Sequence, residues 1–264
     1  MIDVASDPTL RGLLKQSAAA YLHFADKVAA QKLQVSAVTD NRVLIKPRAG
    51  ISYVPLRQAS EQANAAAEYL SERYASAADL TIGVAALLAQ LEPSPDPVAV
   101  PAFERAVAEL GRHLGIQVQR PELETGNGPD VLWLLGELSF LVIECKSAAT
   151  TDAISRHDIA QLSHSMDWFG TEYDSSCKAT PVLIHPSRQL APAANARDGT
   201  RVITFEKLST LRDAIDRFAT SVAASRMYAE ADAVAERLAA EQLNSRALIG
   251  HWGQAARRPK GHRR

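Results

Sequence analysis

The sequence predicts an α/β protein: a mainly helical N-terminal domain followed by an α/β domain with the element order αβββαβ. Three observations carry this. Apolar residues recur at helical spacing over 8–33 and 57–91. A proline-rich stretch, "EPSPDPVAVP", follows them, and beyond it short β-branched runs alternate with amphipathic ones.

The elements are justified in order. Asp7 before Pro8 reads as a helix start, and Leu10, Leu13, Leu14, Tyr21, Leu22 and Val28 fit one face of a helix over 8–33. "QVSAVTDNRVLIKPR" reads as a hairpin turning at Thr39-Asp40-Asn41. Residues 57–91 read as helix with a break near Ser76. These parts make an N-terminal domain over 1–92, and 93–101, with four prolines, reads as the linker.

The second domain spans 102–220. "AFERAVAELGRHLG" is a helix ending at Gly115, "IQVQR" a short strand and "ELETGNGP" a turn. "DVLWLL" and "LSFLVIECK" are strands joined across Gly136-Glu137. "DAISRHDIAQLSHSMDWFG" is an amphipathic helix, "ATPVLIHP" and "RVITF" are strands, and "EKLSTLRDAIDRFATSV" is a helix. A C-terminal helix is expected over 221–249, then a basic, disordered tail over 250–264. From Ser245 onward the chain has six Lys or Arg residues and no acid. No internal repeat is found.

Composition excludes several classes. Hydrophobic residues make up 47% and charged residues 22%, the balance of a soluble globular protein. The two cysteines, Cys145 and Cys177, form no CxxC pair, which argues against a disulfide framework or a structural zinc. The N-terminus has no secretory signature, and no apolar run approaches the ~20 residues of a membrane span. A cytoplasmic protein without a membrane partner is expected. No GxSxG or GxxxxGK[ST] motif occurs, so neither a serine hydrolase elbow nor a P-loop is encoded. Net charge is -1, and residues 101–220 carry 12 basic against 16 acidic residues. That is not the balance of a strong autonomous DNA binder. Basic surface is available from Lys46, Arg48 and Arg57 or from the tail, which is equally readable as a solubilising end.

The chemistry concentrates in "GPDVLWLLGELSFLVIECKS". Strand alternation puts Glu144 and Lys146 on one face and Cys145 on the other, with Leu141 and Ile143 in the core. Burying such charges costs several kcal/mol unless they are paired or bound. If Asp130 lies opposite Glu144, two carboxylates and a lysine meet at one end of a hairpin. That pairing needs an odd loop or a bulge near Gly136; a two-residue turn sets Asp130 opposite Ile143, on the wrong face. Hard oxygen ligands suit Mg2+ or Mn2+. The alternative is a surface salt bridge where two strands end.

"PD" at 129–130 and "ECK" at 144–146, with this element order, resemble the signature of the PD-(D/E)xK nuclease superfamily over roughly residues 101–185. The resemblance implies a restriction-endonuclease-like αβββαβ core and Mg2+-dependent phosphodiester hydrolysis, DNA favoured and RNA open. Asp130 and Glu144 would hold the metal together with the Cys145 backbone carbonyl, and Lys146 would support the attacking water. Glu104, from the first helix, would add a metal ligand or hold the water; it also reads as an exposed first-turn acid. Gln161 in the second helix would position the site. Ser165 stands where the superfamily often has Tyr, a departure. His157 and His164 share a helix face and are candidate phosphate contacts, or exposed spectators. Trp168 and Phe169 read as core. Members of the superfamily serve in restriction, phage defence and repair, often beside a helicase or ATPase; such a motor and a homodimer are the partners to consider. The competing reading is a catalytically quiet nuclease-fold module that binds nucleic acid or bridges partners.

Overall fold

The computed structural model describes residues 7–45, 55–57 and 61–258. Lys46 and Arg48 lie outside them. Contacts divide the chain into two units, Met1–Val54 with Pro121–Asn127, and Pro55–Arg120 with Gly128–Arg264.

In the first unit, α1 (Pro8–Leu22) and α2 (Lys27–Asp40) pack side by side. Asp7 and Asp26 cap them, each accepting a backbone N–H two or three residues on. The expected single helix over 8–33 is therefore broken at 23–26. The expected hairpin is overturned as well, because residues 34–40 complete α2. The β-branched Val35, Val38 and Thr39 suggest strand, yet tertiary contacts override that preference. Ala30 and Ala37, seven apart, are buried on one face, and Asp40 pairs with Arg11 at 2.9 Å and Lys15 at 2.8 Å from α1. Those two cations hold the Asp40 carboxyl down at about 2. Pro121–Thr125 form a one-turn helix, α6, where a turn was expected.

In the second unit, α3 (Gln62–Arg73) and α4 (Ala77–Gln90) meet at the anticipated break, with Ser76 capping α4. A short 3-10 turn at Pro97–Ala99 leads into α5 (Val100–His113). The proline stretch does not separate two bodies: Leu70, Leu80 and Leu88 share one core with Phe103, Leu110, Ile143 and Ile184. The proline rings set the entry into α5, while the apolar faces on either side still find each other.

Six strands form one sheet in sequence order among the described residues: β1 (Gln117–Gln119), β2 (Val131–Gly136), β3 (Ser139–Cys145), β4 (Lys178–His185), β5 (Arg201–Thr204) and β6 (Gln254–Ala255). The first three form an antiparallel meander, β3–β4 and β4–β5 are parallel, and β6 returns antiparallel to β5. Helix α7 (Arg156–Glu172) crosses from β3 to β4, started by a Ser155/Asp158 capping box. Its Ile159 and Leu162 cover Leu183 and Val202 on one face of the sheet. The other face carries α5 and α8 (Phe205–Ala223). Trp168 and Phe169 are core, and Phe169 stacks on Tyr173 at 4.3 Å between ring centroids.

The C-terminal region departs from expectation. No continuous helix spans 221–249. Ser225 and Arg226 take left-handed φ of 54° and 59° after α8, which ends it; α9 (Ala231–Ala240) and α10 (Leu248–Trp252) follow as separate helices. The basic tail is not disordered through 250–258. Trp252 is buried, its Nε1 donating to the Gln242 carbonyl at 3.1 Å, and Gln254–Ala255 supply β6. No helix of the described residues is long and apolar enough to cross a membrane.

Candidate metal and acid site

Asp130 immediately precedes β2, and Glu144 and Cys145 end β3. The strands pair Val131 with Ile143, Leu132 with Val142, Trp133 with Leu141 and Leu134 with Phe140. One further step places Asp130 opposite Glu144. The turn is two residues long, Glu137-Leu138, both at left-handed φ (49° and 56°), as a type I′ hairpin turn requires. It sits one residue later than expected, and Gly136 pairs with Ser139. Continued regularly from there, the ladder would set Asp130 opposite Cys145, on the apolar face. A bulge at Leu135, between Leu134 and Gly136, moves it opposite Glu144 instead.

Both carboxylates are buried, Asp130 at 7% and Glu144 at 5% exposure. Asp130 Oδ2 accepts the Cys145 backbone N–H at 2.7 Å, which locks the two strand ends together. Glu144 Oε1 accepts the Ser165 hydroxyl at 2.5 Å, and Lys146 Nζ lies 3.5 Å from Oε2. Burial first, then the negative charge of Asp130, lifts the Glu144 carboxyl to about 7; Lys146 and Ser165 oppose this without cancelling it.

Glu104 lies past the first turn of α5 and is half-buried, so it is not the exposed first-turn acid of the alternative reading; it too is lifted to about 7, by burial first and then by Asp130. It belongs to the same electrostatic cluster, but its Oε2 accepts from Arg120 Nη2 at 2.9 Å. Among the described residues, no three His, Cys, Asp or Glu side chains form a group that could hold a metal. Asp130 and Glu144 stand opposite each other as a pair. Cys145 faces the core with Leu141 and Ile143, and burial followed by the nearby acids pushes its thiol well up.

The α7 candidates separate. Gln161 is exposed; one turn later Ser165 is buried against Glu144. The departure noted at Ser165 is thus where α7 touches the acid pair. His157 and His164 are also exposed on α7. Arg57 lies 3.8 Å from Asp174, both well exposed.

Two residues escape sequence reasoning. Arg120, just past β1, holds Glu104. His185 pairs across β4–β5 with Thr204 and is fully buried; its Nδ1 engages the Ser187 backbone at 2.8 Å and 3.0 Å. The β3–β4 register puts His185 beside Lys146 on one face, and His185 Nε2 has no hydrogen-bond partner among the described residues. The only sequence signal was a polar residue closing an apolar strand. Comparison with protein-family models, with curated proteins and with solved structures finds no match.

Proposed function

We propose that this protein is a metal-dependent nuclease that hydrolyses phosphodiester bonds, with DNA as the favoured substrate. One observation carries the reading: a bulge sets two buried carboxylates, Asp130 and Glu144, on one side of a strand end, with Lys146 beside them. The donor set suits a hard divalent cation. Burial first, and the neighbouring Asp130 second, raise the Glu144 carboxyl, and a bound cation would offset both. Asp130, through Oδ1, and Glu144 would hold Mg2+ or Mn2+. Such an ion supplies charge neutralisation at a phosphoryl group and a water of lowered pKa.

The chain's own residues do the rest. Ser165 fixes the Glu144 carboxylate from α7, and the Cys145 N–H fixes Asp130. Lys146 presents a positive charge where negative charge grows in the transition state and can orient the attacking water. Glu104, restrained by Arg120, holds a carboxyl near neutrality that can take or return a proton at the edge of the site.

A second reading, a quiet module that binds nucleic acid or bridges partners, is favoured by a specific observation. Each of the three acids already engages a protein group, and no group of three ligands forms among the described residues. Cleavage of supercoiled plasmid and labelled DNA and RNA, in Mg2+ or Mn2+, separates the two. Wild-type cleavage abolished by EDTA and by Lys146→Ala supports hydrolysis. Absence of cleavage together with absence of metal binding favours the quiet module.

A further inference from the structure

Away from the acid pair, at the β5–β6 edge, lies a hollow of about 240 Å³. At about 30 Å³ per water it has room for roughly eight waters. Its lining includes Arg197, Arg201 and Arg258, with Asp198 the one acid, and Gly199 and Thr200. β6 builds it: Ala255 pairs with Arg201, and the Ala256 N–H donates to the Thr200 carbonyl at 3.3 Å. Gly199 takes φ of 80°, the left-handed turn that brings the loop round, and a side chain there would meet nothing within 4 Å.

The arginines differ in their commitments. Arg197 pairs with Asp167 at 2.5 Å and is partly neutralised. Arg258 Nη2 donates to Asn195 Oδ1 at 3.0 Å, which orients the guanidinium without cancelling its charge. Among the described residues, Arg201 and Arg258 have no ion-pair partner. Two more arginines belong to this edge, since the Arg257 N–H donates to the Arg188 carbonyl at 2.8 Å. Segments 186–201 and 254–258 together carry five arginines against one acid, in a chain of net charge -1. The sequence beyond adds Lys260, Arg263 and Arg264 and no acid.

We infer that the β5–β6 edge is a phosphate-binding surface that seats a nucleic-acid backbone in the hollow between Arg201 and Arg258. Guanidinium forks match phosphate oxygens bidentately, and the charge is concentrated where little opposes it. The inference goes beyond the hydrolytic reading and rests on it only for the choice of phosphodiester among polyanions. Binding here requires neither metal nor Lys146.

The test is fluorescence anisotropy of a short fluorescein-labelled DNA duplex over a salt series, with full-length protein in EDTA. The double variant Arg201→Gln/Arg258→Gln is expected to bind roughly ten-fold more weakly, with the log–log salt slope reduced by about 2. Arg217→Gln, on α8, is expected to match the wild type. Arg258→Gln alone, beyond β6, leaves the β5–β6 ladder intact and is expected to lose about 1 in slope even if the double variant melts early. The inference is overturned if wild type does not bind. It is overturned too if the arginine variants keep wild-type affinity and slope, or if Arg217→Gln weakens binding as much. Loss of cleavage with duplex binding intact would instead count against the hydrolytic reading alone.

Discussion

Replacing Glu144 by glutamine should stabilise the metal-free protein at high pH and not at low pH. In the folded chain burial and Asp130 raise the Glu144 carboxyl from 4.5 to about 7. A carboxyl whose folded value is raised favours the fold below its unfolded value, and that favour is lost as pH rises through the folded one. The window therefore runs from about pH 4.5 to about pH 7. At about 1.36 kcal/mol per unit, the cost at pH 8 is at most about 3 kcal/mol. Glutamine keeps an acceptor for Ser165, and the 3.5 Å contact with Lys146 already acts against burial within that raised value. Glu144→Gln should thus gain up to about 3 kcal/mol at pH 8 and less than about 1 kcal/mol at pH 5. Urea unfolding in EDTA at both pH values measures this. Excess Mg2+ should reverse the order, because ligand stabilises only the protein that binds it. A gain of equal size at both pH values, or a loss at pH 8, would refute the reasoning.

Other consequences are simpler to score. Gly115 ends α5 at φ 71°, and an added Cβ would lie 2.0 Å from the Gln62 carbonyl oxygen and 2.6 Å from the Ala66 nitrogen. Gly115→Ala should cost at least about 2 kcal/mol, read as a lower melting temperature, since rigid backbone must yield. Glu137 is exposed at a left-handed φ of 49°, so Glu137→Asn should raise the urea midpoint by about 1 kcal/mol of stability without moving the strand register. Burial raises the Cys145 thiol far out of reach, whereas Cys177 is half-exposed. Native protein should therefore release one equivalent of thiol to a disulfide reagent, and denatured protein two.

What the sequence made legible depended on whether the controlling contacts were local. Helices α3, α4, α5 and α7 followed from periodicity, and the need for a bulge near Gly136 followed from asking Asp130 to face Glu144. The bulge is there, although the turn beside it falls one residue later. The α2 segment was misjudged because Val35, Val38 and Thr39 read as strand, while the deciding contacts are ion pairs from α1 to Asp40. The proline stretch looked like a boundary because composition does not reveal that Leu80 and Phe103 share a core. The tail looked disordered because two residues of β6 and one buried tryptophan carry no periodic pattern. At the site, Ser165, Arg120 and His185 come from three separate elements, and only their packing shows which of them meets a charge.

The central claim is that the paired Asp130 and Glu144 form a divalent-cation site. Calorimetric titration with Mn2+ at pH 7 tests it most directly. The account predicts one site on the wild type, with protons released as the raised Glu144 carboxyl ionises. It predicts loss of that site in Asp130→Asn and Glu144→Gln and its retention in Lys146→Ala. Absence of Mn2+ binding by the wild type, or binding that survives both carboxamide substitutions, would contradict it.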